Sequence, residues 1–435
     1  MVRLYNEKIM KIYYRRNNCR VCNSTNLTKV LDLNKTPLAN AFVSKENLKK
    51  KEKTFPLSVY FCNNCSLVQV PDVVNPKILF SDYYFITASS SPLIDHFKKY
   101  GEEIIKKFIK SKSDLVIDIG GNDATLLNEL KNDCKVLNIE PAKNIAEISK
   151  KRGIETINQF FSKKVAKGII KKYGHATVVT ANNIIAHTDT VRELFEGVGD
   201  IIGDKGVFIF EAHWVKNLLV EGCFDQIYHE HLCYYSLHAI KYLANSVGLS
   251  IFDVKTVPTQ GQSLRVYVAK NKKPLPSVSK FIKIEQKNGL HEVKTFADFS
   301  KNVIKNKANT VKLLNDLKSK NKKIVGYGAP AKGTTLLNFY EVGPKILDRF
   351  KDEGLISDAA DLFTLKKEDI AGLERFGEKS AENIVKSIED HRKVSLWRFL
   401  YALGILHVGE QTAQDIANHF GNFENIKNAS LEKLN

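Results

Sequence analysis

Residues 114–130 read DLVIDIGGNDATLLNEL, and the fold follows from how this stretch is parsed. An apolar run from Leu115 to Ile119 closes on two glycines, after which apolar residues return at helical spacing. That pattern predicts a strand, a tight turn and a helix. The unit then repeats. KVLNIEP (135–141) is a strand followed by the helix KNIAEISKKRG (143–153), and HATVVTANNII (175–185) is a strand followed by VRELFEGVGDII (191–202). GVFIFEA (206–212) is a further strand. Strands and helices alternating at this spacing form a parallel sheet covered by helices, so an α/β, Rossmann-like fold is expected.

Gly120 and Gly121 stand at the C-terminal end of the first strand, where parallel sheets bind ligands. Glycine lets a ligand approach the backbone, and the following helix offers its N–H groups. Glu140 ends the second strand in NIEP, where a carboxylate can accept hydrogen bonds from both hydroxyls of a ribose. Together they point to an adenosine-bearing cofactor. No GKS or GKT follows the glycines, which argues against an ATP-type phosphate loop.

Further out the signals change. LSIFDVKTV (249–257) and SLRVYVAK (263–270) are strands, 277–321 is a long polar helical stretch, and KIVGYGAPAKGTTLLNF (323–339) is a strand, turn and helix. From 343 onward the chain reads as short helices joined by glycine-containing hairpins. The N-terminus has no apolar signal core, and no stretch approaches the ~18 apolar residues of a membrane span. A soluble, cytoplasmic protein with no membrane partner is expected. The net charge of +18 over 435 residues suits a polyanionic partner such as nucleic acid or a phosphorylated substrate, or a surface simply rich in lysine.

Four of the seven cysteines form two CxxC pairs, Cys19/Cys22 and Cys62/Cys65. Two such turns supply four thiolates to one tetrahedral zinc and leave no open position, so a structural site is expected. Cys134, Cys223 and Cys233 read as small buried residues. FDQIYHEHLCYYSL (224–237) places Tyr228, His229, Glu230 and His231 side by side. On residue types alone this is a metal-binding pair, a polar loop, or a general base with a polarising tyrosine; beside a cofactor loop the last is preferred.

The four-cysteine segment, IGGNDATLL, ANNIIAH (181–187), FDQIYHEHLCYYSL, SLRVYV and GYGAPAKGTTLLN (326–338) occur in that order. In this the chain resembles the zinc-containing, S-adenosylmethionine-dependent sugar C-methyltransferases over roughly residues 17–340. The resemblance implies a class I methyltransferase sheet and a sugar-nucleotide substrate. It implies that Gly120, Gly121, Asn122, Asp123, Glu140, Asn182, Asn183 and His187 hold S-adenosylmethionine. His231 would be the base, with Tyr228 and Glu230 orienting the sugar, His229 in the same catalytic cluster, and Tyr83 or Tyr84 contributing from SDYYF (81–85). Ser263 and Arg265 would meet the substrate, Arg265 through its diphosphate. Two positions depart from the family. Ala124 replaces a glycine and is expected to narrow the approach to the cofactor's amino-acid end, and Gly261-Gln262 replaces a glycine pair.

Beyond LLNFYEVGPKILDRF (336–350) the text changes character. GLERFGEKSAENI (372–384) and ALGILHVGEQTA (402–413) resemble the helix-hairpin-helix region of bacterial NAD-dependent DNA ligases over 343–435. That resemblance implies non-specific DNA contact, with Gly377, Lys379, Ser380, Gly409, Gln411 and Thr412 at two phosphate-binding turns. It does not imply nick sealing, because no KxDG-type adenylation lysine lies upstream. The expected organisation is a zinc-binding domain (1–75), a methyltransferase domain (76–255), a truncated C-terminal lobe (256–342) and a helix-hairpin-helix tail (343–435).

Overall fold

The computed structural model describes residues 12–347, apart from short breaks at 42, 44–46, 48–49, 81–82, 84, 260–261, 323 and 325–330. Of the remainder it describes 410–429 and isolated positions between 366 and 397. The chain divides into two compact units. The first comprises Met1–Val311 and Ala329–Glu341, and the second Lys312–Gly328 and Val342–Asn435.

The first unit is built on a seven-stranded sheet. Its strands are β6 (Leu115–Ile119), β7 (Lys135–Ile139), β8 (Thr156–Ile157), β9 (Val178–Asn182), β10 (Val207–His213), β12 (Ser250–Val257) and β13 (Ser263–Ala269), in the order β12-β13-β10-β9-β6-β7-β8. The five strands β6 to β10 run parallel, and the β12–β13 hairpin adds on antiparallel. The expected boundary at 255/256 therefore falls inside β12. SLRVYV is β13, paired along its whole length with β10, and it joins the main sheet.

Helices α2 (Ser91–Phe108), α3 (Thr125–Asn128), α4 (Lys143–Lys151), α5 (Lys163–Tyr173), α6 (Val191–Ile202), α7 (Val215–Glu221) and α8 (Leu237–Asn245) follow in chain order, after a short α1 (Pro76–Phe80). The central strands are buried on both faces, as near-continuous apolar runs in a parallel sheet require. Phe195 of α6 meets the rings of Phe208 and Phe210 edge-on at 5.3 and 5.6 Å. On the other face Tyr100 and Ile104 of α2 join Val116, Ile209 and Tyr267.

A second sheet, β11-β4-β3-β2, is made by β2 (Leu27–Thr36), β3 (Phe55–Cys62), β4 (Val68–Gln69) and β11 (Cys233–Tyr234). The strands β1 (Tyr13–Arg15) and β5 (Asp72–Val74) form a separate pair. Because β11 comes from the YHEH segment and pairs with β4, a segment that follows β10 in the chain completes the sheet of the cysteine-rich region.

The stretch 277–321 is two helices, α9 (Pro276–Lys287) and α10 (Val293–Ser319). Gly289 sits at φ +62 between them, and Leu290 N–H returns to the Glu285 carbonyl at 3.1 Å. A left-handed glycine with such a backward bond is a helix stop. Helix α11 (Ala331–Tyr340) carries most of the GAPAKGTTLLN motif, whose strand lies outside the described residues. In the second unit, α12 (Glu410–Phe420) ends on Gly421 at φ +74, and Asn422 caps α13 (Phe423–Lys427) by accepting from Asn425 N–H at 2.9 Å.

Candidate active site

The cofactor end is shaped by steric need. At Gly121 an added Cβ would lie 2.5 Å from Asn138 Oδ1 and 2.8 Å from Asp118 Oδ2, and Gly120 adopts φ +65 against Ile184. Both carboxylate oxygens of Glu140 accept backbone N–H groups, from Asn122 at 3.0 Å and Ala142 at 2.8 Å. Burial raises Glu140 to about 7 despite those bonds. Asp118, which sequence reading passed over within an apolar strand, is also buried and raised to about 7, and accepts from Thr180 Oγ1 at 2.6 Å.

The side chains of Asn122 and Asp123 are engaged within the protein. Asn122 Oδ1 accepts from Thr87 N–H at 2.9 Å and its Nδ2 donates to the Phe85 carbonyl at 3.0 Å. Asp123 takes Ala88 N–H, Thr125 Oγ1 and Arg152. Both therefore fasten the 85–88 segment over the glycine loop. Ala124 adopts φ +62 and is fully buried among Tyr100, Ile104 and Leu127. Its methyl faces the core, so the expected narrowing of the cofactor approach does not arise from it. The amide of Asn182, at the end of β9, is buried with neither atom hydrogen-bonded, and Asn183 Oδ1 is likewise without a partner. A buried orphan amide beside a ligand-binding loop fits a group that a ligand completes.

The YHEH segment splits by direction. His231 Nδ1–H donates to the Gln226 carbonyl at 2.8 Å, so its lone pair is on Nε2. Burial, with His187 and His213 adjacent, holds His231 well below the ordinary histidine range. The His187 ring lies 5.0 Å away, the His213 ring 5.3 Å and the Tyr228 ring 4.1 Å. His187 Nδ1–H donates to the Glu230 carbonyl at 2.7 Å, and burial lowers it to about 4. Glu230 accepts from Asn40 at 2.6 Å and is raised by burial. Burial and the Glu230 charge raise both Tyr228 and Tyr83, and Glu140 adds to the effect on Tyr83. Tyr83 is thus electrostatically linked to the cofactor loop and to the histidine cluster. Tyr84 lies outside the described residues.

Three expected site residues point elsewhere. His229 is turned to β3, its Nε2 3.2 Å from the Phe55 and Pro56 carbonyls. Ser263 donates to the Thr259 carbonyl at 3.2 Å. Arg265 is 3% exposed and bonds Glu211 at 2.6 and 2.8 Å and Glu103 at 2.9 Å, with its guanidinium 3.4 Å from the Tyr100 ring centre. Its charge is neutralised inside the sheet, so the diphosphate role expected of it is withdrawn. His213, at the end of β10, was missed; its place at the C-terminal end of a parallel strand was the available signal. Of the tail residues, Gly377, Lys379, Ser380 and Gly409, and the side chains of Gln411 and Thr412, lie outside the described residues.

The four thiols of Cys19, Cys22, Cys62 and Cys65 all lie within 4.8 Å of one another, with Cys19–Cys65 and Cys22–Cys62 at 3.5 Å. A tetrahedron with Zn–S of ~2.3 Å sets sulfurs about 3.8 Å apart, so the donor set fits zinc. Asn23 and Ser66, each following the second cysteine of its pair, adopt φ +59 and +60 and close the two turns alike. Arg20, inside the first turn, reaches Asp189 at 2.8 Å, and Val70 N–H donates to the Leu232 carbonyl at 2.9 Å. The cysteine-rich region is thereby fastened to the chain just after His187 and just after His231. Helix α11 adds a third brace, through Thr335 Oγ1 to the Ile227 carbonyl at 2.8 Å. No helix among the described residues is long and apolar enough to cross a membrane.

Comparison with known proteins agrees with this assembly. Family models match a zinc binding domain at 19–80, a methyltransferase domain at 95–254 and the C-methyltransferase C-terminal domain at 258–356. A helix-hairpin-helix tandem matches 334–390 and a helix-hairpin-helix motif 398–435. The third and fourth overlap across 334–356, around the boundary between the compact units at Glu341/Val342. The C-methyltransferase NovU of Streptomyces niveus is 29% identical over 323 residues, 73% of this chain and 77% of that protein. A DNA ligase of Phocaeicola vulgatus is 50% identical over 98 residues, and one of Alkalilimnicola ehrlichii 50% over 93. The chain spans only 15% and 14% of those ligases. Over residues 19–356 the chain thus carries the domain set of the zinc-containing, S-adenosylmethionine-dependent C-methyltransferases, continued by a helix-hairpin-helix segment similar to part of bacterial DNA ligases.

Proposed function

We propose that the chain methylates a carbon next to the carbonyl of a keto-deoxysugar nucleotide. The observation that carries this reading is the fixed tautomer of His231. Its Nδ1–H is tied to Gln226, so Nε2 is a buried base with no competing proton. S-adenosylmethionine supplies the electrophilic methyl group when bound. Its ribose suits Glu140, its amino group suits Asp118, and the loop at Gly120 and Gly121 gives it close backbone approach; the orphan amide of Asn182 is available to it or to the sugar.

His231 removes the proton α to the ketone, which a buried neutral imidazole does without first losing a proton of its own. Tyr83 and Tyr228, held in their O–H forms by burial and by Glu230, are donors for the enolate oxygen. Glu230, positioned by Asn40, orients the sugar. With Tyr83→Phe or Tyr228→Phe, kcat is expected to fall about 100-fold, the scale of one lost oxyanion donor, while cofactor affinity stays. An unchanged kcat in both would remove the tyrosines from this role.

A second reading concerns the tail, and the ligase relatives favour it. The glycine turns at 372–379 and 404–412 would meet DNA phosphates through backbone N–H groups. Methyl transfer and DNA contact are separate chemistries on one chain.

A further inference from the structure

His231 shares one recess with His213, Asn217, Gln226 and Gln262. Its other histidine neighbour, His187, does not line that recess; its ring lies 5.7 Å from that of Phe80 of α1 and its Nδ1–H is held by the Glu230 carbonyl. His231 is 7% exposed and His213 is half-buried at the strand end. A base so enclosed can take a substrate proton once, but it must then release that proton before the next turnover. The ring of His213, 5.3 Å from that of His231, is the other imidazole lining the same recess, beside Trp214 and Tyr234.

Resting on the base assignment above, we infer that His213 is the proton carrier that returns His231 to its neutral form. The carbon-bound proton passes to His231 Nε2, and the carbon keeps the electron pair and takes up the methyl group. The imidazolium of His231 then gives its Nε2 proton to a ring nitrogen of His213, which releases it to water in the recess. One proton leaves per methyl gained, which balances the positive charge lost from the sulfonium. His213 does not touch the reacting carbon, so its loss slows the return of His231 and leaves the first deprotonation intact.

The test separates these steps without methyl transfer. The full chain is incubated in D2O with a keto-deoxysugar nucleotide and S-adenosylhomocysteine, and deuterium entry at the carbon beside the ketone is followed by mass spectrometry. The wild type is expected to exchange above the enzyme-free background. His213→Gln and His213→Asn, checked for unchanged S-adenosylhomocysteine binding, are expected to exchange at least ~10-fold more slowly. Added imidazole is expected to restore them, which a merely structural role would not allow. Exchange at the wild-type rate, or a loss that imidazole leaves untouched, overturns the proton-carrier role. If His231→Gln exchanges as the wild type does, or the wild type does not exchange, the base assignment itself fails and this inference with it.

Discussion

Arg20 Nε donates to Asp189 Oδ1 at 2.8 Å, with the arginine side chain fully buried between two zinc-binding cysteines. The same guanidinium reaches Gln69 at 3.1 Å and the Leu232 carbonyl at 3.5 Å. Asp189 follows His187 and Leu232 follows His231, so the zinc turn holds the backbone beside both histidines. Arg16 and Tyr14 converge on the same Asp189.

Zinc removal is therefore expected to abolish methyl transfer while sparing the cofactor loop, which is built wholly from the main sheet. Chelation, or Cys62→Ser, is expected to leave S-adenosylmethionine affinity within about threefold of the wild type and to reduce kcat at least ~100-fold. Calorimetric titration beside a turnover assay decides it; parallel loss of both would mean that the whole unit unfolds.

Arg20→Met is expected to destabilise the chain by about 2 kcal/mol, because Asp189 loses its closest charged partner and is left with Arg16 and Tyr14 alone. Denaturant unfolding measures this. A variant as stable as the wild type would show that the pair does not join the two regions.

Glu140 and Asp118 each titrate near 7 in the free protein because burial penalises their charge. Ribose hydroxyls and an ammonium group favour the ionised forms, so binding lowers both values. Cofactor affinity is then fully present above pH 7 and weakens as pH falls below it, by up to about tenfold per unit per carboxyl. Dissociation constants measured from pH 8 to pH 6 check this, with Glu140→Gln expected to flatten the slope.

Much of this was legible in the sequence, for reasons that differ by residue. Strand and helix periods in 114–212 gave the parallel sheet because apolar runs and glycine stops are local signals. The cysteine pairs gave the zinc site because ligand spacing is also local. Arg265 was misread, since a buried ion network looks like a substrate-binding cation until its partners Glu103 and Glu211, far apart in sequence, are brought together. Residue types alone did not separate His229 from His231, which the resemblance named as the base; the turn at Tyr228–His231 sends the two to opposite sides.

Ala124 carries a separate prediction. A non-glycine residue in the left-handed region costs about 1–2 kcal/mol, while its buried methyl contributes about 0.8 kcal/mol. Ala124→Gly should therefore leave stability within about 1 kcal/mol of the wild type and cofactor affinity within twofold. A marked gain in affinity would show that the methyl does face the cofactor.

For the tail, the full chain is expected to bind duplex DNA without sequence preference and with affinity falling steeply as salt rises, as phosphate contacts require. Lys379→Glu should weaken binding and reduce the salt slope by about one. Binding that ignores salt would contradict the phosphate reading.

Methyl-labelled S-adenosylmethionine reports whether His231 drives carbon methylation of a keto-deoxysugar nucleotide. The wild type is predicted to place label on a sugar carbon beside the ketone, and His231→Gln to bind the cofactor equally well yet transfer at least ~100-fold more slowly. Label transferred at the wild-type rate by His231→Gln, or none transferred to any keto-deoxysugar nucleotide by a wild type that binds the cofactor, would contradict it.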